Sequence, residues 1–244
     1  TGSLEYGITS GLTAQVAGSW FETVGGSSWL ASAGLRTGIG GTALRADVGV
    51  QKGGGKSAQF GIGGQLFGAT YSFTHAEYSG RFIDEVRAFS SDFLDRASEL
   101  NISATLSLGG ETGPVYLPLS LRARRLEFAD GRTQTEAALR GSARVAGLLL
   151  SKTVEYASNR SPLGFTSDSL VGGFDLATLS GSRTQYRASI TYAAVPKVEL
   201  RSASIRVDHA FRPDMPASAA VGHTFTNGET RFGLALTRRF ERFD

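Results

Sequence analysis

Three histidines, His75, His209 and His223, are the side chains best suited to acid–base or metal chemistry. Their spacing matches no metal-ligand pattern, and no serine elbow lies near them. Asp208-His209, combined with one of the many serines, leaves open a hydrolase that acts on lipid. The chain has no cysteine, which excludes thiol catalysis, disulfides and cysteine-based metal sites. These residues favour a protein that is not an enzyme and that has no metal or other cofactor.

The 32 glycines form neither a phosphate loop nor a dinucleotide fingerprint. Gly38 to Gly41 and Gly53 to Gly55 are predicted to be turn glycines. Gly61, Gly63 and Gly64 fall inside a predicted strand, where they permit curvature or close side-chain packing. The arginines alternate along strands and do not cluster with stacking aromatics, so we expect no nucleic-acid partner.

The dominant periodicity of the chain is two. In the segment from Trp29 to Thr37, apolar residues alternate with Ser32, Gly34 and Arg36. About fifteen such segments follow one another, each about 8 to 12 residues long, the length that a tilted transmembrane strand needs. A phase slip near Ser202 predicts a β-bulge. No apolar run is long enough for a transmembrane helix.

The connections alternate between tight turns and longer or more polar loops, which is typical of outer-membrane barrels. The pattern predicts an all-β fold, an antiparallel transmembrane β-barrel of about 14 to 16 strands. We expect residues 1–244 to form one outer-membrane barrel domain or the C-terminal part of a larger barrel. Such barrels have even strand numbers in bacteria, so an odd count predicts a missed strand or an absent upstream part.

The polar face of the predicted strands carries an excess of cations and is expected to line a pore. Its predicted lining residues are Arg36, Arg45, Asp47, Arg122, Arg124, Arg140, Arg144, Arg187, Arg201, Arg206 and Arg231. A low-dielectric wall focuses this field and favours anionic small solutes or acidic polymer segments in the lumen. The alternative is a structural ladder of arginines and acids without an open channel.

The segment from Gly80 to Ser98 is the longest departure from period two, and apolar residues recur in it at helical spacing. One prediction is an inward constriction loop; the other is a hairpin extension that prolongs two strands. The candidate constriction residues are Phe82, Asp84, Glu85, Arg87, Asp92, Asp95 and Arg96.

The stretch Arg231 to Phe240, RFGLALTRRF, resembles the closing strand of bacterial outer-membrane, porin-like β-barrels. EYGITSGLT from Glu5, the stretch from LRADVGVQ to YSFTHAEYSGRF, and LRSASIRVDHAF are similar to the pore domains of fimbrial ushers. The resemblance implies a bacterial outer-membrane location, contact with outer-membrane lipid and the barrel-insertion machinery, and a passive channel or export conduit. Two alternatives stay open: an outer-membrane lipid-modifying barrel enzyme with a histidine near the lipid-facing rim, and a soluble β-sheet adhesin or scaffold fragment.

Overall fold

The computed structural model describes residues 1–23, 25–84, 92–109, 115–179, 181, 183–212 and 215–238. Regular structure in these ranges is β-strand throughout. No helix in this part of the chain has the length and apolar character to cross a membrane.

Fifteen strands follow one another in the described ranges. They are β1 (Gly2–Thr9), β2 (Leu12–Thr23), β3 (Gly26–Ile39), β4 (Thr42–Gln51), β5 (Lys56–Leu66), β6 (Ala69–Ser79), β7 (Leu94–Leu108), β8 (Val115–Phe128), β9 (Thr133–Val145), β10 (Leu148–Arg160), β11 (Thr166–Thr178), β12 (Thr184–Val195), β13 (Glu199–Arg212), β14 (Met215–Thr224) and β15 (Glu229–Leu236). They form one antiparallel sheet whose strand order is the chain order, from β1 to β15. The predicted all-β class and strand number are confirmed. The described strands include no β1–β15 pairing, so closure into a ring stays a prediction.

The chain divides into two compact units. Unit 1 contains Thr1–Ala104, Leu121–Ala137 and Ala157–Ser167. Unit 2 contains Thr105–Ser120, Ala138–Tyr156 and Asp168–Asp244. Strands β7 to β11 therefore contribute residues to both units.

Unit 1 places apolar and polar side chains on opposite flanks of its sheet, because successive residues of a strand point to opposite sides. The unit 1 apolar flank includes the directly paired row Leu4, Val16, Ala33, Val48 and Ala58. The unit 1 polar flank includes the adjacent row Gln15, Gly34, Asp47 and Gln59. Val48 is 59% exposed, whereas the Asp47 side chain is 23% exposed. In a water-soluble sheet packed on a core, the apolar side chain would be buried and the carboxylate exposed, which is the reverse of what is observed here.

Unit 2 has the same alternation. Its apolar flank includes the row Leu176, Ala188, Ile205, Val221 and Phe232. Its polar flank includes the adjacent row Ala177, Arg187, Arg206, Ala220 and Gly233. Ile205 and Phe232 are exposed, so this apolar flank is also without a covering layer among the described residues.

Few apolar side chains are buried anywhere in the described ranges: Ala76, Phe82, Leu94, Leu126 and Ala193. A sandwich of two sheets would bury the apolar flanks against each other. The exposed apolar residues are instead spread over β1 to β15, as Leu4, Leu35, Val50, Leu106, Leu150 and Leu234 illustrate. The described residues therefore form a sheet whose apolar side chains have no protein core to pack into.

The predicted bulge in β13 is confirmed. Thr191 pairs with Ser202, but its neighbour Tyr192 pairs with Leu200, so Arg201 is the extra residue on the bulged strand. The polar stretch from Thr23 to Ser28 is predicted from its composition to be one of the longer connections, and this prediction is wrong. Thr23 is the last residue of β2 and pairs with Gly26, the first residue of β3.

Candidate functional site

The cross-strand register assembles a polar surface on unit 1 from β2 to β6. Next to the row that contains Asp47 lies a second polar row, formed by Thr13, Arg36, Arg45, Gly61 and Thr74. Arg36 and Arg45 are directly opposite each other in this row. Like charges directly opposite each other destabilise a sheet, so this pairing requires an explanation beyond stability.

Arg36 is held loosely by two carboxylates. Its guanidinium nitrogens lie 3.6 Å from Glu5 Oε1 and 4.0 Å from Asp47 Oδ1. The Asp47 carboxylate lies across Gly34, where a Cβ atom would be 1.9 Å from Oδ1. Both ion pairs are partly exposed and long, so they contribute little to stability.

Arg45 has neither a hydrogen bond nor an ion pair with any residue that the structure describes. Its side chain lies across Gly61, where a Cβ atom would be 2.6 Å from Nε. The prediction that glycines within β5 permit close packing is confirmed here. At Gly64 the close neighbour is backbone instead, since a Cβ atom there would be 2.7 Å from the Gly41 carbonyl oxygen. Gly61 thus keeps space on the sheet for the long Arg45 side chain.

The chain that leaves β6 bends back over this polar surface. Phe82 is buried; its ring lies 5.6 Å from that of Tyr78, and a Cβ atom on Gly49 would be 3.6 Å from it. Gly80 makes the bend at φ +65°, where a Cβ atom would be 2.8 Å from the Gly54 carbonyl oxygen. A glycine is therefore required at the start of the loop.

Gln51 fastens the loop to the sheet through both ends of its side-chain amide. Its Oε1 accepts a hydrogen bond from the Ile83 N–H at 2.7 Å, and its Nε2 donates one to the Arg81 carbonyl at 3.2 Å. We call this pair of bonds the Gln51 clamp. It places the first part of the predicted constriction segment, Phe82 to Asp84, over the unit 1 polar flank.

A cleft of about 320 Å³ lies between the loop and the strands. Phe82 and Asp84 border it on one side, and Arg36, Arg45 and Asp47 on the other. A second recess of about 800 Å³ shares both arginines. Arg36 and Arg45 therefore line both recesses.

The rest of the predicted constriction segment bears on the two predictions made for it, an inward loop and a hairpin extension. Glu85 and Arg87 lie outside the described residues. Asp92 bonds to Arg132 at 2.7 Å in the neighbouring connection. Asp95 and Arg96 belong to β7, so this end of the segment prolongs a strand, as the hairpin alternative predicts. Arg96 pairs with Glu77 of the unit 1 apolar flank and is 3.3 Å from it.

Strand β8 contributes two predicted lining residues to unit 1, Arg122 and Arg124. Arg122 lies 3.3 Å from Glu99. Arg124 has no hydrogen bond or ion pair with a described residue. Glu5 and Glu99 are more than 20 positions away in the sequence from Arg36 and Arg122, the arginines that they contact. Only the register across the strands brings these residues to the arginines.

Unit 2 contains the remaining predicted lining residues. Arg140 lies 3.2 Å from Glu155, Arg201 is 3.9 Å from Glu199, and Arg231 is 2.7 Å from Glu229. Arg206 bonds to Asp208 at 2.8 Å. Arg144 and Arg187 have no hydrogen bond or ion pair with a described residue. Arg187 is directly opposite Arg206, so unit 2 repeats the opposed arginine pair of unit 1.

All three histidines lie on apolar flanks, and each binds the hydroxyl of its directly paired residue. Nδ1 of His75 is 2.8 Å from Ser98 Oγ, that of His209 is 2.8 Å from Thr184 Oγ1, and that of His223 is 2.7 Å from Thr230 Oγ1. His75 also lies 3.7 Å from the Glu77 carboxylate. In the described ranges, no group of three or more histidines and acids could hold a metal ion.

Comparison with known proteins gives little further information. No family model matches the chain, and no curated protein matches it. Among solved structures, the chain is similar to one described as a "Bacterial polysaccharide outer membrane secretin". The identity is 10%, the match covers 94% of this chain and 98% of that chain, and the TM-score is 0.28. A likeness at this TM-score does not indicate a function.

Proposed function

We propose that this chain forms the wall of a bacterial outer-membrane pore, with its apolar flanks against lipid and its polar flanks against water. The exposure of the apolar flanks carries the proposal. Leaving a large apolar side chain in water forgoes about 1.5 to 3 kcal/mol relative to burial, and Val48, in the middle of the unit 1 strands, is 59% exposed. Contact with lipid hydrocarbon removes this cost for every apolar residue of the flank. In a soluble scaffold, all of these side chains would remain exposed to water.

The polar flanks support a preference for anions. Arg45, Arg124, Arg144 and Arg187 have no acidic partner within ion-pair distance among the described residues, so the purely structural ladder is incomplete. Their charge is available to a passing solute, and a low-dielectric wall strengthens its field. The cargo is therefore an anionic small solute or an acidic segment of an exported protein. The predicted partners in the cell are outer-membrane lipid and the barrel-insertion machinery.

Planar-bilayer recording of the purified chain tests this function. In a salt gradient, we expect open channels whose reversal potential has the sign of anion preference. Heat-modifiable migration on a detergent gel establishes independently that a barrel has formed. A barrel that migrates in this way but conducts no current would contradict the open pore.

A second candidate function is hydrolysis of a lipid ester on the unit 1 apolar flank. Ser98, His75 and Glu77 form a series of hydroxyl, imidazole and carboxylate. His209 and His223 have no such carboxylate among the residues that the structure describes. In such a site, Ser98 Oγ would attack the ester carbonyl while His75 accepts its proton. The ester C–O bond then breaks, His75 gives the proton to the leaving alcohol, and water hydrolyses the acyl group from Ser98. Lipid turnover that is lost in both Ser98→Ala and His75→Asn would favour this function, and undiminished turnover would remove it.

A further inference from the structure

The opposed arginines of unit 1 are the most unusual feature of its polar flank. Arg36 and Arg45 occupy directly paired positions of β3 and β4, where Cα atoms lie about 4.5 to 5.5 Å apart. Neither arginine is neutralised by a short ion pair, since the two contacts of Arg36 are 3.6 and 4.0 Å long. Two positive charges are therefore adjacent on the sheet, and carboxylates lie at long ion-pair distance from Arg36 alone.

The surroundings leave this point open. Gly61, opposite Arg45 on β5, provides the surface on which the Arg45 side chain lies. The cleft under Phe82 and the second recess both reach the two arginines. A larger side chain at position 61 would displace Arg45, so the position of the Arg45 side chain depends on the glycine.

The same register pairing recurs independently in unit 2. Arg187 and Arg206 are directly opposite on β12 and β13, next to Ala177 and Ala220 in their row. Arg206 is bonded to Asp208, and Arg187 has no such bond. An unfavourable like-charge pairing thus occurs twice, each time with one guanidinium lacking an ion pair.

We propose that the Arg36–Arg45 pair is a binding site for a tetrahedral oxyanion, the phosphate group of a small solute. This inference rests on the proposed function, in which the unit 1 polar flank faces water. A planar guanidinium presents parallel N–H donors that match the oxygens of phosphate. Glu5 and Asp47 face Arg36 only, so the charge of Arg45 is the one left for the phosphate group, and binding relieves the repulsion between the two guanidiniums.

Isothermal titration of the full chain in detergent micelles tests the site, because it requires no conduction. The titrants are inorganic phosphate, glucose 6-phosphate and, as a monovalent comparison, acetate, all at one ionic strength. We expect Arg45→Gln and Arg36→Gln each to weaken phosphate binding roughly 10- to 100-fold, the loss of a hydrogen bond to a charged group. Arg125→Gln is the matched control, since it removes the same charge from the unit 1 apolar flank, where Arg125 binds Glu127 at 2.9 Å.

Arg45→Lys separates charge from geometry, because it keeps the cation but loses the planar fork. We expect it to bind phosphate more weakly than the wild type and more strongly than Arg45→Gln. Without phosphate, Arg45→Gln should unfold at the same or a higher temperature than the wild type, since it removes a like-charge contact. A structural role for Arg45 predicts a lower temperature.

The outcomes are distinct from those of the pore proposal. Phosphate binding that is lost in both arginine variants and kept in Arg125→Gln supports the site, even in a barrel that does not conduct. Equal affinity in all variants, or equal affinity for phosphate and acetate, overturns the site and leaves the pore intact. Tighter binding of glucose 6-phosphate than of inorganic phosphate identifies a phosphate ester as the solute.

Discussion

The Gln51 clamp determines whether the loop from Gly80 to Asp84 stays over the unit 1 polar flank. Replacing Gln51 by leucine keeps the bulk of the side chain but removes both hydrogen bonds to the loop. The Ile83 N–H and the Arg81 carbonyl then lose their side-chain partner. Phe82 would still pack beside Tyr78, so we expect the loop to open more often without the strands separating.

The size of the effect follows from the two bonds. A net contribution of about 0.5 to 1.5 kcal/mol for each hydrogen bond gives about 1 to 2 kcal/mol for a pair in which the second bond is exposed. The open population of the loop then rises roughly 5- to 30-fold. Hydrogen exchange of the Ile83 amide, followed by NMR in detergent micelles, should accelerate by the same factor.

Gln65→Leu is the matched control for this measurement. Gln65 lies on β5 and pairs with Thr70 at the opposite end of the strand from the loop. The same substitution there should leave exchange at Ile83 unchanged. Unaltered exchange in Gln51→Leu, or equal acceleration in both variants, would refute the role of the clamp.

Two further predictions concern side-chain packing and pH. Gly34→Ala should lower the free energy of unfolding by about 1 kcal/mol relative to Gly7→Ala. The new Cβ atom at position 34 displaces the Asp47 carboxylate, whereas a Cβ atom at position 7 meets nothing within 4 Å. Urea titration in micelles measures the difference, and equal values would contradict the prediction. In the β8–β9 connection, hydrogen bonds from the Arg132 backbone and side chain lower the pKa of Asp130 below its ordinary value of 3.8. The stabilisation of the connection by the hydrogen bonds to Asp130 should therefore be complete above pH 3.8. It should be lost only as the pH falls through the lowered pKa. An NMR titration of Asp130 with a midpoint at or above 3.8 would show that the bonds are absent in solution.

The strand number and the two flanks could be predicted from the sequence because both depend on local periodicity. Alternation of apolar and polar residues assigns each side chain to a flank before any pairing is known. The opposed arginines required the register as well. The two-residue turn at Gly40 and Gly41 sets Arg36 opposite Arg45, and a shift of one residue would separate them.

The Gln51 clamp could not be predicted in this way. It joins a strand residue to backbone groups of Arg81 and Ile83, and no periodicity relates positions that distant. Gly49, beside which Phe82 packs, looks like any other small residue of a polar face. The sequence did indicate that Phe82 belongs to an unusual segment, since its spacing departs from period two.

The two tryptophans of the chain test the central claim most directly, because both lie on the unit 1 apolar flank. Trp20 and Trp29 are directly paired and are 65% and 39% exposed. In reconstituted vesicles, lipids brominated near the headgroup should quench their fluorescence strongly, and aqueous iodide should quench it weakly. Strong quenching by iodide with no effect of the brominated lipid would place this flank in water and contradict a membrane-spanning wall.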